Sequence, residues 1–229
     1  MQSDLAHWTP RPRPGRITLE GHSVRLEPLD PARHAEGLFA ASRVPDGDAK
    51  FRWLFEDPPT DFAPFRAWVE RVAASPDPLF WAILDKASGQ VAGRQTLMRI
   101  EPTHGVIEIG NIYWGPLIAR QRGATEALYL FMAHVFDDLG YRRFEWKCND
   151  LNAPSKRAAL RFGFTFEGVF RQHMVAKGQN RDTAWFSIID SEWPRLKAGY
   201  LAWLEPTNFD VAGRQRRTLQ DCILKPETP

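Results

Sequence analysis

Two short stretches combine residue types suited to holding anions. The first is Trp114-Gly115-Pro116-Leu117-Ile118-Ala119-Arg120-Gln121-Arg122-Gly123-Ala124-Thr125-Glu126-Ala127, set between an alternating apolar segment and a helical one. Gly123 permits close backbone approach or a positive φ, and the residues after it open a helix whose first N–H groups have no intrahelical partner. The positive end of that helix, with the charges of Arg120 and Arg122, suits an anion of diphosphate size. An ordinary loop glycine between two solvated arginines explains the same residues without a ligand. The second stretch, Asn149-Asp150-Leu151-Asn152-Ala153-Pro154-Ser155, runs from a strand end into a helix start. Asn152 ranks among the best N-cap residues, which accounts for it structurally. Functionally, Asn152 and Ser155 share one helical edge that faces the first loop.

The elements that must carry these stretches are legible from periodicity. Val24–Leu29 alternates as a strand, and Asp30-Pro31 opens a helix. Residues 43–61 form a long loop rich in aromatic surface, followed by a helix capped by Asp61 with Phe65, Trp68, Val69 and Val72 on one face. Strands over 79–84, 90–100 and 106–114 form a meander with turns at Ser88-Gly89 and Thr103-His104-Gly105. A strong helix spans 122–138 with Gly140 ending it, then a strand over 142–148, a helix from Asn152 to Gly163, and strands over 164–174 and 182–189. A helix over 191–204 precedes a polar tail. The order predicts an α/β (α+β type) domain with a mixed, mostly antiparallel central sheet flanked by helices. Only the strand–helix–strand unit over 106–148 demands a parallel pair. The expected organisation is an arm over 1–16, a domain over 17–204 and a tail over 205–229.

Composition narrows the function classes. Of 229 residues, 43% are hydrophobic and 25% charged, as in ordinary globular chains. The longest uncharged run, Ile109 to Ala119, is 11 residues, against the roughly 20 apolar residues of a membrane span. No secretory signal opens the chain. The two cysteines, Cys148 and Cys222, have no metal-ligand spacing. The expectations are a cytoplasmic protein with no metal and no membrane partner. A net charge of +2 makes nucleic-acid binding through Arg11, Arg13, Arg16 and Arg214, Arg216, Arg217 a weak reading.

Taken together, the motifs resemble the GNAT superfamily of N-acetyltransferases, in particular the branch that includes the ribosomal-protein N-terminal acetyltransferases. That superfamily's pyrophosphate loop reads Gln or Arg, two residues, Gly, one residue, Gly or Ala. Arg120-Gln121-Arg122-Gly123-Ala124-Thr125 follows it with Thr at the last position. The branch's Ala-Thr-Glu-Ala is present at 124–127, although the loop before it is shorter. Its Asn-x-x-Ser matches Asn152 and Ser155, its Gly-Phe and Glu-Gly match 163–164 and 167–168, and its opening matches Leu19-Glu20-Gly21 and Arg25-Leu26-Glu27-Pro28-Leu29. The resemblance spans about residues 18–190.

This resemblance implies acetyl-CoA as co-substrate and a splayed parallel strand pair. The gap would be filled by the pantetheine arm through the backbone of Ile112, Tyr113 and Trp114. The broken alternation at Gly110-Asn111 fits a bulge at that splay. The implied cofactor-binding residues are Ile112, Tyr113, Trp114, Arg120, Gln121, Arg122, Gly123, Ala124, Thr125, Asn152 and Ser155. Many family members use a tyrosine in the helix after the Asn cap to protonate the leaving thiolate. None lies in 149–164, so Ser155 takes that role by resemblance, with Glu108 as candidate base and His173 and Asp150 as weaker ones. The acceptor, a primary amine on a protein N-terminus or small molecule, would meet Phe51, Trp53, Glu56, Arg171 and Gln172. The acidic residues of the 43–61 loop would suit its positive charge. A non-catalytic acyl-CoA-binding module of the same fold remains the competing reading. Cys222-Ile223-Leu224 anchors the tail either to the core or to a second copy in a homodimer.

Overall fold

The computed structural model describes residues 5–224. Its sheet contains β1 (Leu19–Glu20), β2 (Val24–Pro28), β3 (Leu79–Asp85), β4 (Val91–Glu101), β5 (Val106–Trp114), β6 (Arg143–Asn149), β7 (Thr165–Ala176) and β8 (Gln179–Ile189). Their spatial order is β1-β2-β3-β4-β5-β6-β8-β7, and β5 with β6 is the parallel pair in an otherwise antiparallel sheet. The expected mixed sheet is present, with the parallel pair where the crossover helix requires it.

The helices are α1 (Pro31–Ser42), α2 (Gly47–Phe51), α3 (Phe62–Ala73), α4 (Arg122–Ala133), α5 (Ala153–Arg161), α6 (Trp193–Leu204) and α7 (Leu219–Leu224). The helix expected to open at Asp30-Pro31 does so as α1, and Asp30 Oδ1 caps it by accepting from the Ala32 amide at 2.8 Å. Asp61 holds the N-cap position of α3 without capping it; its carboxylate accepts from the Thr60 hydroxyl instead. The helix expected over 122–138 is α-helical only to Ala133 and continues as a π turn over His134–Asp138. That wider turn keeps both Val135 and Phe136 buried.

Period-two alternation divides β3 between two cores. Leu79, Trp81 and Ile83 face a large cluster built on Leu128, Phe131 and Met132 of α4 and on α6. Phe80 and Ala82 face a smaller one with Leu38 of α1 and Phe65 and Val69 of α3. The described part of the arm lies on the body. The Trp8 indole donates to the Thr103 carbonyl at 2.8 Å, and Arg11, Arg13 and Arg16 donate to carbonyls of Gly140, Ile100, Pro76 and Ser75. Within the tail, Leu219, Cys222 and Ile223 are buried in the large core. A Cβ added at Gly199 would lie 2.6 Å from Ile223, so this glycine is what lets α7 pack against α6.

Candidate active site

The site begins where the sheet parts. β5 and β6 pair over Val106–Ile109 with Arg143–Trp146, and the ladder stops there. On the other side of β5, Asn111 and Ile112 together oppose Gln95 of β4, because Thr96 pairs Gly110 while Arg94 pairs Tyr113. This is a β-bulge, with Asn111 at φ +46, and such bulges bend the bulged strand. The backbone from Ile112 to Trp114 therefore has no partner from β6. The Trp114 ring fills part of the gap, 6.4 Å from Trp146 and 5.8 Å from Phe162 between ring centroids. Its indole donates to Gln95 Oε1, and Gln95 Nε2 donates to the Ala127 carbonyl of α4.

Beyond the gap lies a cavity of about 870 Å³, lined by Ile112, Tyr113, Trp114 and residues 119–122, 124 and 125. The N-terminus of α4 opens into it. Gln121 is the N-cap residue and no side chain caps this end, so its first N–H groups are available to an anion. The positive φ in the turn belongs to Arg120, at +62. Gly123 serves packing: a Cβ there would lie 2.9 Å from both Ile118 and Val24. Arg120 is exposed at the rim. Arg122 turns away, its guanidinium donating to the Leu204 carbonyl and lying 4.9 Å from the Phe209 ring. The Arg122 guanidinium is thus already engaged, as are the side chains of Tyr113, Trp114 and Thr125.

Four further wall residues escape sequence reasoning: Arg161, Trp203, Phe209 and Arg214. Arg161 donates to Thr125 Oγ1 at 3.1 Å and packs over Phe162 and Trp203. Burial draws its guanidinium below arginine's ordinary value. It is a cation beside a helix N-terminus, an arrangement that favours an added anion. The uncapped helix start, Arg120 and Arg161 give this cavity donors for an anion.

Asn152 and Ser155 sit together on the opposite wall of the gap. Asn152 Oδ1 accepts from the Ser155 amide at 3.1 Å, as its cap role predicts. Trp146 Nε1 donates to Ser155 Oγ at 3.0 Å. Accepting from the indole leaves the serine proton free to be given elsewhere. The nearby Cys148 thiol is pushed up chiefly by burial, an effect partly offset by its hydrogen bond with Ser155.

A second cavity, of about 320 Å³, holds Ser155, Asn152, Glu108 and Trp53. Glu108 is buried. Arg99 Nη1 donates to both its oxygens, at 2.7 and 2.8 Å, and Lys147 Nζ lies 2.9 Å away. Trp53 lines this cavity, whereas Phe51 is buried against Tyr113, with 5.0 Å between ring centroids. Glu56 points inward to form an ion pair with buried Arg94. Arg171 and Gln172 are exposed on β7, and the Gln172 amide donates to Asp182 at 2.7 Å. Neither lines this cavity. His173 bonds Thr183 Oγ1, and Asp150 pairs with Lys156. Among the described residues, no group of three or more His, Cys, Asp or Glu could hold a metal ion, and no helix is long and apolar enough to cross a membrane.

The model of the Acetyltransferase (GNAT) domain matches residues 23–165. The crystal structure of a GCN5-related N-acetyltransferase from Brucella melitensis is 63% identical, covering 95% of this chain and 98% of that one at a TM-score of 0.94. A probable GNAT-family acetyltransferase from Chromobacterium violaceum ATCC 12472 is 38% identical, covering 85% and 96% at a TM-score of 0.78. The uncharacterized N-acetyltransferase p20 of Bacillus licheniformis is 28% identical over 117 residues, 49% of this chain and 63% of that protein's length.

Proposed function

The chain belongs to the GNAT acetyltransferase family, and from that premise we propose that it moves an acyl group, acetyl by default, from acyl-CoA to a primary amine by direct attack in a ternary complex. The observation that carries the reading is that Ile112, on the unpaired edge of β5, lines both the cavity at the start of α4 and the one that holds Ser155. The unpaired edge of β5 leads at one end to the uncapped start of α4 and at the other to Ser155.

Acetyl-CoA supplies a thioester whose carbonyl carbon accepts the amine and whose sulfur departs. The α4 N-terminus, with Arg120 and Arg161, holds the diphosphate, and the backbone of Ile112–Trp114 aligns the arm. Such alignment lowers the barrier by several kcal/mol, about 7–11 at most. Ser155, with its oxygen held by Trp146, donates its proton to the departing sulfur. The ammonium gives one proton to water before attack, and the second, released as the C–N bond forms and the C–S bond breaks, passes through water to replace the one Ser155 gives to sulfur. An α-amino group has a pKa of about 8, so a useful neutral fraction exists near neutral pH. Glu108 can take the first proton through water only in competition with Arg99 and Lys147, so its main role is to order those two cations at the cleft.

The test is thiol release from acetyl-CoA across an amine panel, alongside calorimetric titration with coenzyme A. Saturable binding with amine-dependent thiol release is the expected result. Binding without turnover across the panel would instead identify a non-catalytic acyl-CoA-binding module.

A further inference from the structure

Beneath the 51–57 segment, the acceptor end of the cleft consists of the 320 Å³ cavity and a neighbouring one of about 470 Å³. Trp53, Leu54, Phe55, Asn149 and Arg181 line both, which makes Arg181 the charged residue common to the two. It lies on β8 just beyond the last β6–β8 pair, Asn149 with Thr183, and its guanidinium is 5.6 Å from the Phe55 ring. Arg181 Nε is buried with no hydrogen-bond partner, and the carboxylate whose charge reaches this side chain, Glu108, is already held by Arg99 and Lys147.

The surroundings are positive as well. Lys50 and Arg52 also line the cleft. The carboxylates facing it are Asp48 and Glu108, and Glu108 is already held by Arg99 and Lys147. Nearby His173 is drawn down first by desolvation and then by Arg99, Arg181 and Lys147. A half-buried guanidinium without a counter-ion is costly unless a ligand supplies one.

Resting on the acyltransferase reading, we infer that the acceptor is an amine that also carries an anionic group, a carboxylate or a phosphate, and that Arg181 holds that group. The planar fork of arginine matches both anions. The same positive field disfavours an ammonium ion and so keeps the acceptor nitrogen neutral for attack. That removes the need for a dedicated base to deprotonate an ammonium before attack. A diamine would bring only like charge into the cleft. Of the acidic 43–61 residues expected to receive a cation, Glu56 is turned to Arg94 and Asp57 to Lys177, while Asp48 lines the cleft with Arg52 and Arg181.

The test uses aminoalkanoates and aminoalkyl phosphates of graded length, each beside the uncharged amide or alcohol of equal length and the matching diamine. Binding to the coenzyme A-saturated protein is measured by calorimetry, and acetylation by thiol release. The anionic member of each productive pair should be favoured by at least about tenfold, as a charge-assisted bond provides. Phosphate and carboxylate arms identify which anion is preferred. Arg181→Gln should bring the ratio to near unity with coenzyme A affinity unchanged, and Arg181→Lys should restore part of it. If the glutamine variant fails to fold, the lysine variant's reduced preference serves as the readout. Equal treatment of the pairs, preference for diamines, no panel member bound, or a preference that survives Arg181→Gln overturns the inference while leaving coenzyme A binding intact. A chain that binds no coenzyme A removes the acyltransferase reading, and this inference with it.

Discussion

The guanidinium of Arg94, fully enclosed within β4, donates to the carbonyl of Asn111 at 2.7 Å. Asn111 is the bulge residue that turns β5 away from β6. The same guanidinium pairs with Glu56 of the segment roofing the acceptor cavities. One side chain thus ties the strand split to the roof. Arg94→Met should cost about 3–5 kcal/mol, the usual penalty for leaving a buried partner alone. Denaturant unfolding measures this, and Glu56→Gln should cost less because a neutral acceptor remains.

Ser155→Ala should lower kcat by about a hundredfold or more, within the range of a lost general acid, with little change in the KM for acetyl-CoA. Trp146→Phe keeps the ring but frees Ser155 Oγ from its indole donor. A smaller kcat loss is expected, again without a matching rise in KM. Steady-state kinetics of both variants separate a proton donor from a packing residue.

Arg161→Gln should act on the other parameter. It removes the cation beside Thr125 while keeping a donor, so coenzyme A affinity should fall by about tenfold, in line with a bond to a charged group. The loss should shrink as salt is raised, because part of it is electrostatic. Calorimetric titration at two ionic strengths checks both expectations.

Stability should depend on pH through His34. Its Nδ1 accepts from the Asp30 amide at 3.0 Å, which leaves the proton on Nε2 facing Glu27 Oε2 at 3.1 Å. Burial, outweighing the raising effect of Glu27, holds the ring below its ordinary value of 6.5. The unfolded chain therefore binds the proton more readily. The stabilisation is complete above about pH 6.5 and is lost as pH falls through the lower folded value. His34→Gln should flatten the denaturation midpoint against pH across that window.

Much of this was legible before the fold was known. Bulge, parallel pair and Asn152 cap all rest on local signals: a phase break at Gly110-Asn111, a crossover helix, and a cap followed by proline. The charged cleft was not legible. Arg99, Lys147 and Arg181 come from three strands and meet only through sheet order, which no spacing encodes. Arg94 left a faint sign, as a charge inside the run Val91–Leu97 on a strand otherwise fit for burial. Side-chain direction was not legible either: Glu56 of the 43–61 segment turns inward to Arg94, while Asp48 lines a cavity.

Gly199→Val should expel α7, since the added methyls would occupy the space of Ile223. Overpacking of this kind costs about 1–3 kcal/mol. A lower melting temperature together with weaker coenzyme A binding is expected, because Phe209 and Arg214, which precede α7, wall the larger cavity. A thermal melt with and without coenzyme A reads both.

The docking of Leu219, Cys222 and Ile223 also sets an order of events during synthesis. The strands and crossover helix leave the ribosome well before residues 219–224, so a nascent chain can form its sheet while one side of the pocket is still missing. The wall carrying Phe209 and Arg214 is completed only when α7 settles into the niche beside Gly199, so a chain stalled short of residue 219 would hold its sheet with that side of the cavity open.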